Sequence, residues 1–569
     1  MPLRPLRAAL ALAVGLAPAL GVPAPAPAAV LGENPVRLAL VVPVTVPPGT
    51  EGFIPSEDLE QYTSAQGILS RQLDAVAGHE VTLGIDPRII ASIRVLGSEA
   101  PDASTRWLSR LQALPNDTFP LSYADSDLTA MTQATGTVTA PEGFDFAIDP
   151  ARFAEPAPAP EPEPEPDPTP TGTTAPSSLD AETPEPTPTP TETVPPEIPP
   201  LPEGDSLDDW QWSLDTLAWP RENTLVAGDL AALSDFGYDS VLLSSQNIDT
   251  PDAPVVALDG STALVAHDAV SAALRTTASS VTEPTFDNAY GALESALTEA
   301  AAAQTGDATL VATLDRGRLP ASTRTAATFS RLDADDRIEL VGLSEVRTLE
   351  PAAGGVIDAP QDRARLDEVS RVIRTEESVA AFATIAQTPI DVIAEHRLQT
   401  IAVLSNGWPA ESAEGWPDAV QSHVNRTDEL VRSVSLVETS NVNLLSDAES
   451  SMAVAVANLL DQPVTVYVSV RPRTGILAVS EGRVEVTLEA GSQANALVPV
   501  QAVSNGVVDA DISLTSANGM PVGPPAVVEV NVQAGWETPI MAALSVLVVG
   551  IFGFGVVRKI VSRRKETDE

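Results

Sequence analysis

Six carboxylates stand at or near the C-terminal ends of segments that read as β-strands: Asp86, Asp125, Asp215, Asp268, Asp315 and Glu345. In a β/α barrel those strand ends carry the active site. Asp86, Asp215, Asp268 and Asp315 are therefore the candidate catalytic residues. Two carboxylates about 5–9 Å apart act as acid and base on a glycosidic bond. A plainer role competes: aspartate is a favoured helix N-cap. In LGIDPRIIAS, Asp86 reads as the cap and Pro87 as the first helical residue, where its missing N–H costs nothing. Arg88 and Arg316 stand close enough in sequence to neutralise Asp86 and Asp315 as ion pairs. A metal-dependent deacetylase would need histidines on the same face. The chain has four, His79, His267, His396 and His423, and only His267, in LVAHD, ends a strand. His267 with Asp268 is the candidate metal edge, and structural packing is the competing reading. NGWP (406–409) and EGWP (414–417) offer two tryptophans as sugar platforms or as helix-end packing.

Much chemistry is excluded at once. The 569 residues include no cysteine, so disulfides and thiolate catalysis are absent. The only lysines are Lys559 and Lys565, which removes a P-loop or Schiff-base lysine from the rest of the chain. There is no nucleophile elbow and no dinucleotide fingerprint, and no cofactor is expected. A formal charge of -46 repels nucleic acid and reads as a solvated surface, with diffuse binding of divalent cations as a lesser role.

The elements that would position these residues alternate. RLALVVPVTV (37–46) is a nearly continuous apolar run of the kind buried on both faces of a parallel sheet. A helical stretch over 57–78, VTLGID, more helix and FPLSYAD follow. Beyond residue 204 come WSLDTLAWP, a helix over 225–233, SVLLSS, a VVAL/TALVA hairpin around Asp259-Gly260, helices to 304, TLVATLD and RIELVGLS. Three strand–helix units before residue 154 and about five after it make poor domains separately. Together they make one α/β barrel-like or open doubly wound domain.

Between them lies EPAPAPEPEPEPDPTPTGTTAPSSLDAETPEPTPTPTETVPPEIPPLPE, with 18 prolines and no lysine or arginine over 155–203. Alternating Glu-Pro and Thr-Pro favours extended polyproline II and forbids a core. Its threonines could carry sugars. The fold class is thus an α/β barrel-like domain interrupted by a disordered Pro/Glu/Thr-rich insertion, followed by an all-β immunoglobulin-like sandwich and one transmembrane helix. The sandwich rests on short period-two segments such as VTVYVSV and RVEVTLEAG.

The termini set the location. Arg4 and Arg7, an apolar run over 8–20 and Ala26-Pro27-Ala28 read as a secretory signal, or else an uncleaved anchor. PIMAALSVLVVGIFGFGVV (539–557) spans about 28 Å as a helix, roughly one hydrocarbon core. Arg558, Lys559, Arg563, Arg564 and Lys565 flank it and keep that end cytoplasmic. The expected organisation is signal peptide 1–29, first barrel part 36–153, insertion 154–204, second barrel part 205–360, helical segment 361–433, sandwich 434–535, membrane helix 538–557 and cytoplasmic tail 558–569.

PVRLALVVPVT, LGIDPRII, LAWPRENTL followed by SVLLSSQNI, and NLLDQPVTVYVSV occur here in an order that resembles an uncharacterised actinobacterial family. Its members are large secreted or membrane-anchored proteins encoded beside the MurJ/MviN lipid II flippase. The resemblance implies a role at the cell envelope, in wall assembly, and carries over no catalytic residue. Two readings follow. One is a non-catalytic, membrane-anchored extracellular scaffold or binding protein, with cell-wall polysaccharide or envelope proteins such as a lipid II flippase as partners. The other is a carbohydrate-active enzyme, or a degenerate glycoside hydrolase or deacetylase-like barrel. Convergence of Asp86, Asp215, His267, Asp268 and Asp315 in one cleft would favour the enzyme.

Overall fold

The computed structural model describes residues 35–153, 203–316, 322–408, 415–437, 442–445, 450–533 and 537–565. The expected signal and nearly all of the Pro/Glu/Thr insertion lie outside these residues.

Ten strands form one sheet: β1 (Val36–Val44), β2 (Thr82–Ile85), β3 (Thr118–Pro120), β4 (Leu217–Ala218), β5 (Ser240–Ser244), β6 (Val255–Leu258), β7 (Ser261–Ala266), β8 (Thr309–Thr313), β9 (Ile338–Val341) and β10 (Ala352–Ala353). The central path runs β3-β2-β1-β8-β7-β5-β4, parallel throughout. Strands from both sides of the insertion thus share one sheet. β9 pairs in parallel with the first half of β1, on the side where β2 takes the second half. β6 folds back antiparallel on β7 through the Asp259-Gly260 turn, where Gly260 adopts φ 79°. The two ends of the path approach each other: the N–H groups of Ser213 and Leu214 donate to Thr118 O at 2.9 and 3.1 Å. The sheet is therefore curled nearly into a barrel.

β1 shows why a continuous apolar run is needed. Val36, Leu38, Leu40, Val42 and Val44 pack outward against Leu59, Leu69, Leu73 and Leu293 of the covering helices. The intervening Ala39 and Val41 face inward, with Phe119, Leu242, Leu264 and Val311. A strand has period two, so both of its sets must be apolar when both faces are buried. The interior is a packed core and not a channel. Gly84 belongs to it: a Cβ there would stand 2.8 Å from Phe119 Cζ.

Several expected elements are shorter. WSLDTLAWP contributes only the two residues of β4, because Trp212 leaves the sheet to pack from outside against the first core. FPLSYAD yields β3 and then a tight turn at Tyr123–Asp125, with Ala124 at φ 57° and Asp125 at φ 47°. The helix expected over 225–233 runs instead over Asp229–Phe236.

Helices Arg363–Ala383, Pro389–Val403 and Gly415–Val431 close one flank of the barrel. Val369, Val372, Val403 and Val420 pack there against Leu128, Met131, Val241 and Leu243. Two further sheets follow. Val434–Leu436, Ser450–Asn458, Gln493–Ala502 and Leu477–Val479 make one; Val442–Leu445, Pro521–Gln533, Gly506–Thr515, Val464–Pro472 and Val484–Leu488 make the other. Val454 and Val498 of the first share one core with Val466 and Val530 of the second. Backbone bonds from Gln387 N to Pro463 O and from Thr465 N to Ile385 O, 2.9 and 2.8 Å, join this sandwich to the helices. The chain ends in helix Glu537–Lys565, of which Ile540–Ile560 is long and apolar enough to cross a membrane, with mean hydropathy 2.6.

Candidate functional site

The C-terminal ends of β2, β3, β4 and β8 bring Asp86, Asp125, Arg221 and Arg316 toward one place. Asp86 caps helix Pro87–Arg94: its Oδ1 accepts the N–H of Arg88 at 2.9 Å and that of Ala124 at 2.9 Å. Burial pushes its carboxyl up to about 7; Arg88 and the two N–H groups lower it against that trend, and Asp125 adds to the rise. Arg88 makes no ion pair with Asp86. Its guanidinium donates to Glu51 O at 2.8 Å.

Asp125 holds the centre. Its backbone sits in the left-handed region beside Ala124, a conformation that costs a non-glycine residue about 1 kcal/mol or more. Asn406 N donates to Asp125 O at 2.7 Å and Asn406 Nδ2 reaches its Oδ1 at 3.2 Å. Arg316 Nη1 donates to the same Oδ1 at 2.9 Å, with side-chain exposures of 8% and 5%. The guanidinium also donates to the carbonyls of Trp219 (2.8 Å) and Pro220 (2.6 Å), and stacks on the Trp219 ring at 4.6 Å. Burial still holds the Asp125 carboxyl above its ordinary value, against Arg316 and Asn406. Arg316 thus serves Asp125, not its sequence neighbour Asp315.

A second pair lies alongside. Asp127 caps helix Leu128–Thr135 through Ala130 N at 3.0 Å. It takes Arg365 at 3.0 Å, Arg221 at 3.9 Å and Gln361 Nε2 at 2.9 Å. Sequence reasoning missed Asp127, Arg221, Arg365 and Asn406. Only Asp127 carried a local sign, as a cap before LTAM. The void under Trp219, Leu243, Ser244, Ala266 and Thr313 measures about 10 Å³, room for about one water.

Of the other candidates, His267, Asp268 and Asp315 also follow the C-terminal ends of their strands, β7 and β8. Asp215 is exposed and precedes β4, so it stands at the opposite end of the sheet. His267 caps helix Asp268–Ala278, its Nδ1 accepting from Val270 N at 3.4 Å. Asp268 accepts from Gln246 Nε2 at 2.6 Å. Asp315 is exposed, and Glu345 pairs with Arg37. Trp416 donates its indole N–H to Val403 O at 3.0 Å under Arg365, as packing requires. Among the described residues no three His, Asp or Glu side chains are grouped as metal ligands.

Fold and site together define a mixed α/β protein: a curled parallel sheet whose strand ends are tied by ion pairs, antiparallel sheets, and one apolar C-terminal helix. Residues 23–569 match a family of unknown function, DUF6049, and the chain belongs to it. No curated protein matches. Among solved structures, the α-amylase AmyC from Thermotoga maritima is similar at 9% identity and TM-score 0.40, covering 70% of this chain and 94% of that one. The 4-α-glucanotransferase from Thermococcus litoralis is similar at 8% identity and TM-score 0.37, covering 84% and 85%. The E. coli chaperone DraB aligns over 18% of this chain and 55% of its own, at 15% identity and TM-score 0.14.

Proposed function

We propose that this protein is a membrane-anchored extracellular component of the cell envelope, whose barrel works as a non-catalytic scaffold or binding unit for wall polysaccharide or envelope proteins. One observation carries this reading: the two buried carboxylates at the barrel mouth, Asp86 and Asp125, are committed to structure. Asp86 is 2% exposed with two backbone N–H groups on one oxygen, and Asp125 is 4% exposed and tied to Arg316. A general acid must reach the leaving group, and neither side chain is free to do so. The apolar helix at Ile540–Ile560, followed by Arg563, Arg564 and Lys565, supports an anchor with its tail in the cytoplasm. The sandwich between barrel and anchor suits an immunoglobulin-like stalk.

A carbohydrate-active enzyme is the second reading. Asp86 and Asp125 lie side by side with both carboxyls raised, and carboxylates of perturbed titration mark acid–base sites. The deciding experiment incubates the full chain in detergent with peptidoglycan and wall polysaccharides, measuring co-sedimentation and release of reducing ends or acetate. Binding without turnover supports the scaffold. Turnover that disappears in both Asp86→Asn and Asp125→Asn overturns it.

A further inference from the structure

Away from the barrel mouth, a cleft of about 340 Å³ opens between the helical flank and the sandwich. Helix Pro389–Val403 contributes Asp391, Glu395 and His396, helix Gly415–Val431 contributes Arg426, and the turn between two sandwich strands contributes Asp461. Its size lies within the range of small-molecule sites.

Its walls offer acceptors. Arg426 is engaged by Glu51 at 2.9 Å. Nearby Arg397 is engaged by Glu142 and Glu376 at 2.7 and 3.1 Å. Gln462 Oε1 already accepts from Thr388 N and Oγ1, both at 2.9 Å. Asp391 sits in the first turn of its helix, where the helix dipole compensates it. Glu395 and Asp461 have no ion-pair or hydrogen-bond partner among the described residues. Glu395 is exposed on the wall of the cleft, with protein crowded around its base. Partial desolvation by that neighbouring protein pushes its carboxyl up, with the charges of Asp461 and Glu51 adding and Arg426 opposing.

His396 is independent of the acidic groups. It is 4% exposed and lines the cleft. The Thr375 hydroxyl donates to Val372 O at 2.6 Å, so its oxygen takes the proton on His396 Nε2 at 2.9 Å. That tautomer leaves Nδ1 as a lone-pair acceptor with no partner among the described residues. Burial, and then Arg397 and Arg426, hold the ring down to about 4, so it is neutral at pH 7 and adds no cation. Val392, Leu430 and Leu460 supply apolar wall between these groups.

We propose that this cleft binds an organic cation, an ammonium or guanidinium group on a short aliphatic stem. Its N–H donors meet Glu395, Asp461 and His396 Nδ1, and its stem lies along Val392 and Leu460. Helix and sandwich both supply ligands, so the cation clasps the two together. The proposal stands apart from the envelope role above.

The test is calorimetric titration of the full chain in detergent with agmatine at physiological ionic strength. Saturable one-to-one binding is expected, weakened about tenfold or more in Glu395→Gln and in Asp461→Asn and unchanged in Glu299→Gln, an exposed carboxylate elsewhere. Melting curves check that each variant is folded. A capped arginine tripeptide that binds equally well identifies a partner polypeptide's side chain as the natural ligand; its exclusion identifies a free small amine. Three results overturn the proposal: no saturable binding up to millimolar agmatine, equal loss in Glu299→Gln, which would mark diffuse screening, or full competition by Mg²⁺, which would mark a metal site.

Discussion

Replacing Arg316 with alanine should destabilise the barrel by about 3–5 kcal/mol at pH 7.5, the usual cost of removing one partner of a buried ion pair. The structure says why. The guanidinium makes three hydrogen bonds between 2.6 and 2.9 Å, to Asp125 and to two carbonyls, and covers the Trp219 ring. Alanine leaves Asp125 buried without its cation. The variant can relieve this by protonating Asp125, a group already raised in the native protein. Protonation costs about 1.4 kcal/mol for each pH unit above the unfolded carboxyl's value near 4. The folded state of the variant therefore holds a proton that the unfolded state releases, and stability falls as pH rises. The deficit at pH 5 should accordingly be smaller than at pH 7.5, by about 1–3 kcal/mol. Guanidinium denaturation followed by tryptophan fluorescence reads it, because six of the seven tryptophans lie between positions 107 and 416 and none lies in the sandwich strands. Asp125→Asn is the matching single variant, since asparagine tolerates φ 47°. Combined with Arg316→Met it should cost less than the sum of the singles. A loss under about 1 kcal/mol, or the same loss at both pH values, would refute the buried-pair argument.

Asp86→Asn should flatten part of the pH dependence. A carboxyl moved from 3.8 to about 7 by folding makes native stability decline as pH rises through that window, by up to about 4 kcal/mol, and denaturation from pH 4 to 8 should show the decline only with Asp86 present. The stacked pair His396 and His423 acts oppositely. Burial holds the rings down to about 4 and about 3, so stability contributed by neutral imidazole is lost as pH falls below about 6.5. His423→Gln should lessen acid destabilisation of the helical flank, read by melting at pH 7 and pH 4.5. A protease site placed near Thr173 should be cut while the pieces on either side co-purify and melt together, because β1–β3 and β4–β10 share one sheet; two independent transitions would contradict this. Protease added to intact cells should remove an epitope in the sandwich and spare one after Glu569; loss of the C-terminal epitope with membranes sealed would reverse the orientation.

What the sequence made legible was whatever a few consecutive residues decide. β1 is a nearly continuous apolar run because both of its faces are buried, and such a run has few alternatives. Asp86-Pro87 announces a helix start by itself. β4 was overdrawn because Trp212 and Leu217 are both apolar while only Leu217 enters the sheet. The mouth of the barrel was opaque for a different reason. Arg316 and Asp125 are 191 positions apart, and Arg316 has an aspartate as its immediate neighbour, so local pairing pointed to the wrong partner. Composition adds a further asymmetry. With 78 acidic and 32 basic residues, two of the latter lysines near the C-terminus, most carboxylates can have no cation of their own. An aspartate at a strand end therefore says little in this chain. A buried arginine says much, because it is scarce and cannot give up its proton, so the fold must supply it with anions or carbonyls. Arg88, Arg221, Arg316 and Arg365 all gather at or beside the barrel mouth, and each leads to a committed carbonyl or carboxylate. In a chain this acidic, the reading that starts from the arginines reaches the barrel mouth directly. Among the many carboxylates left without one, Glu395 and Asp461 share a cleft, and it is there that a cation from outside is proposed to sit.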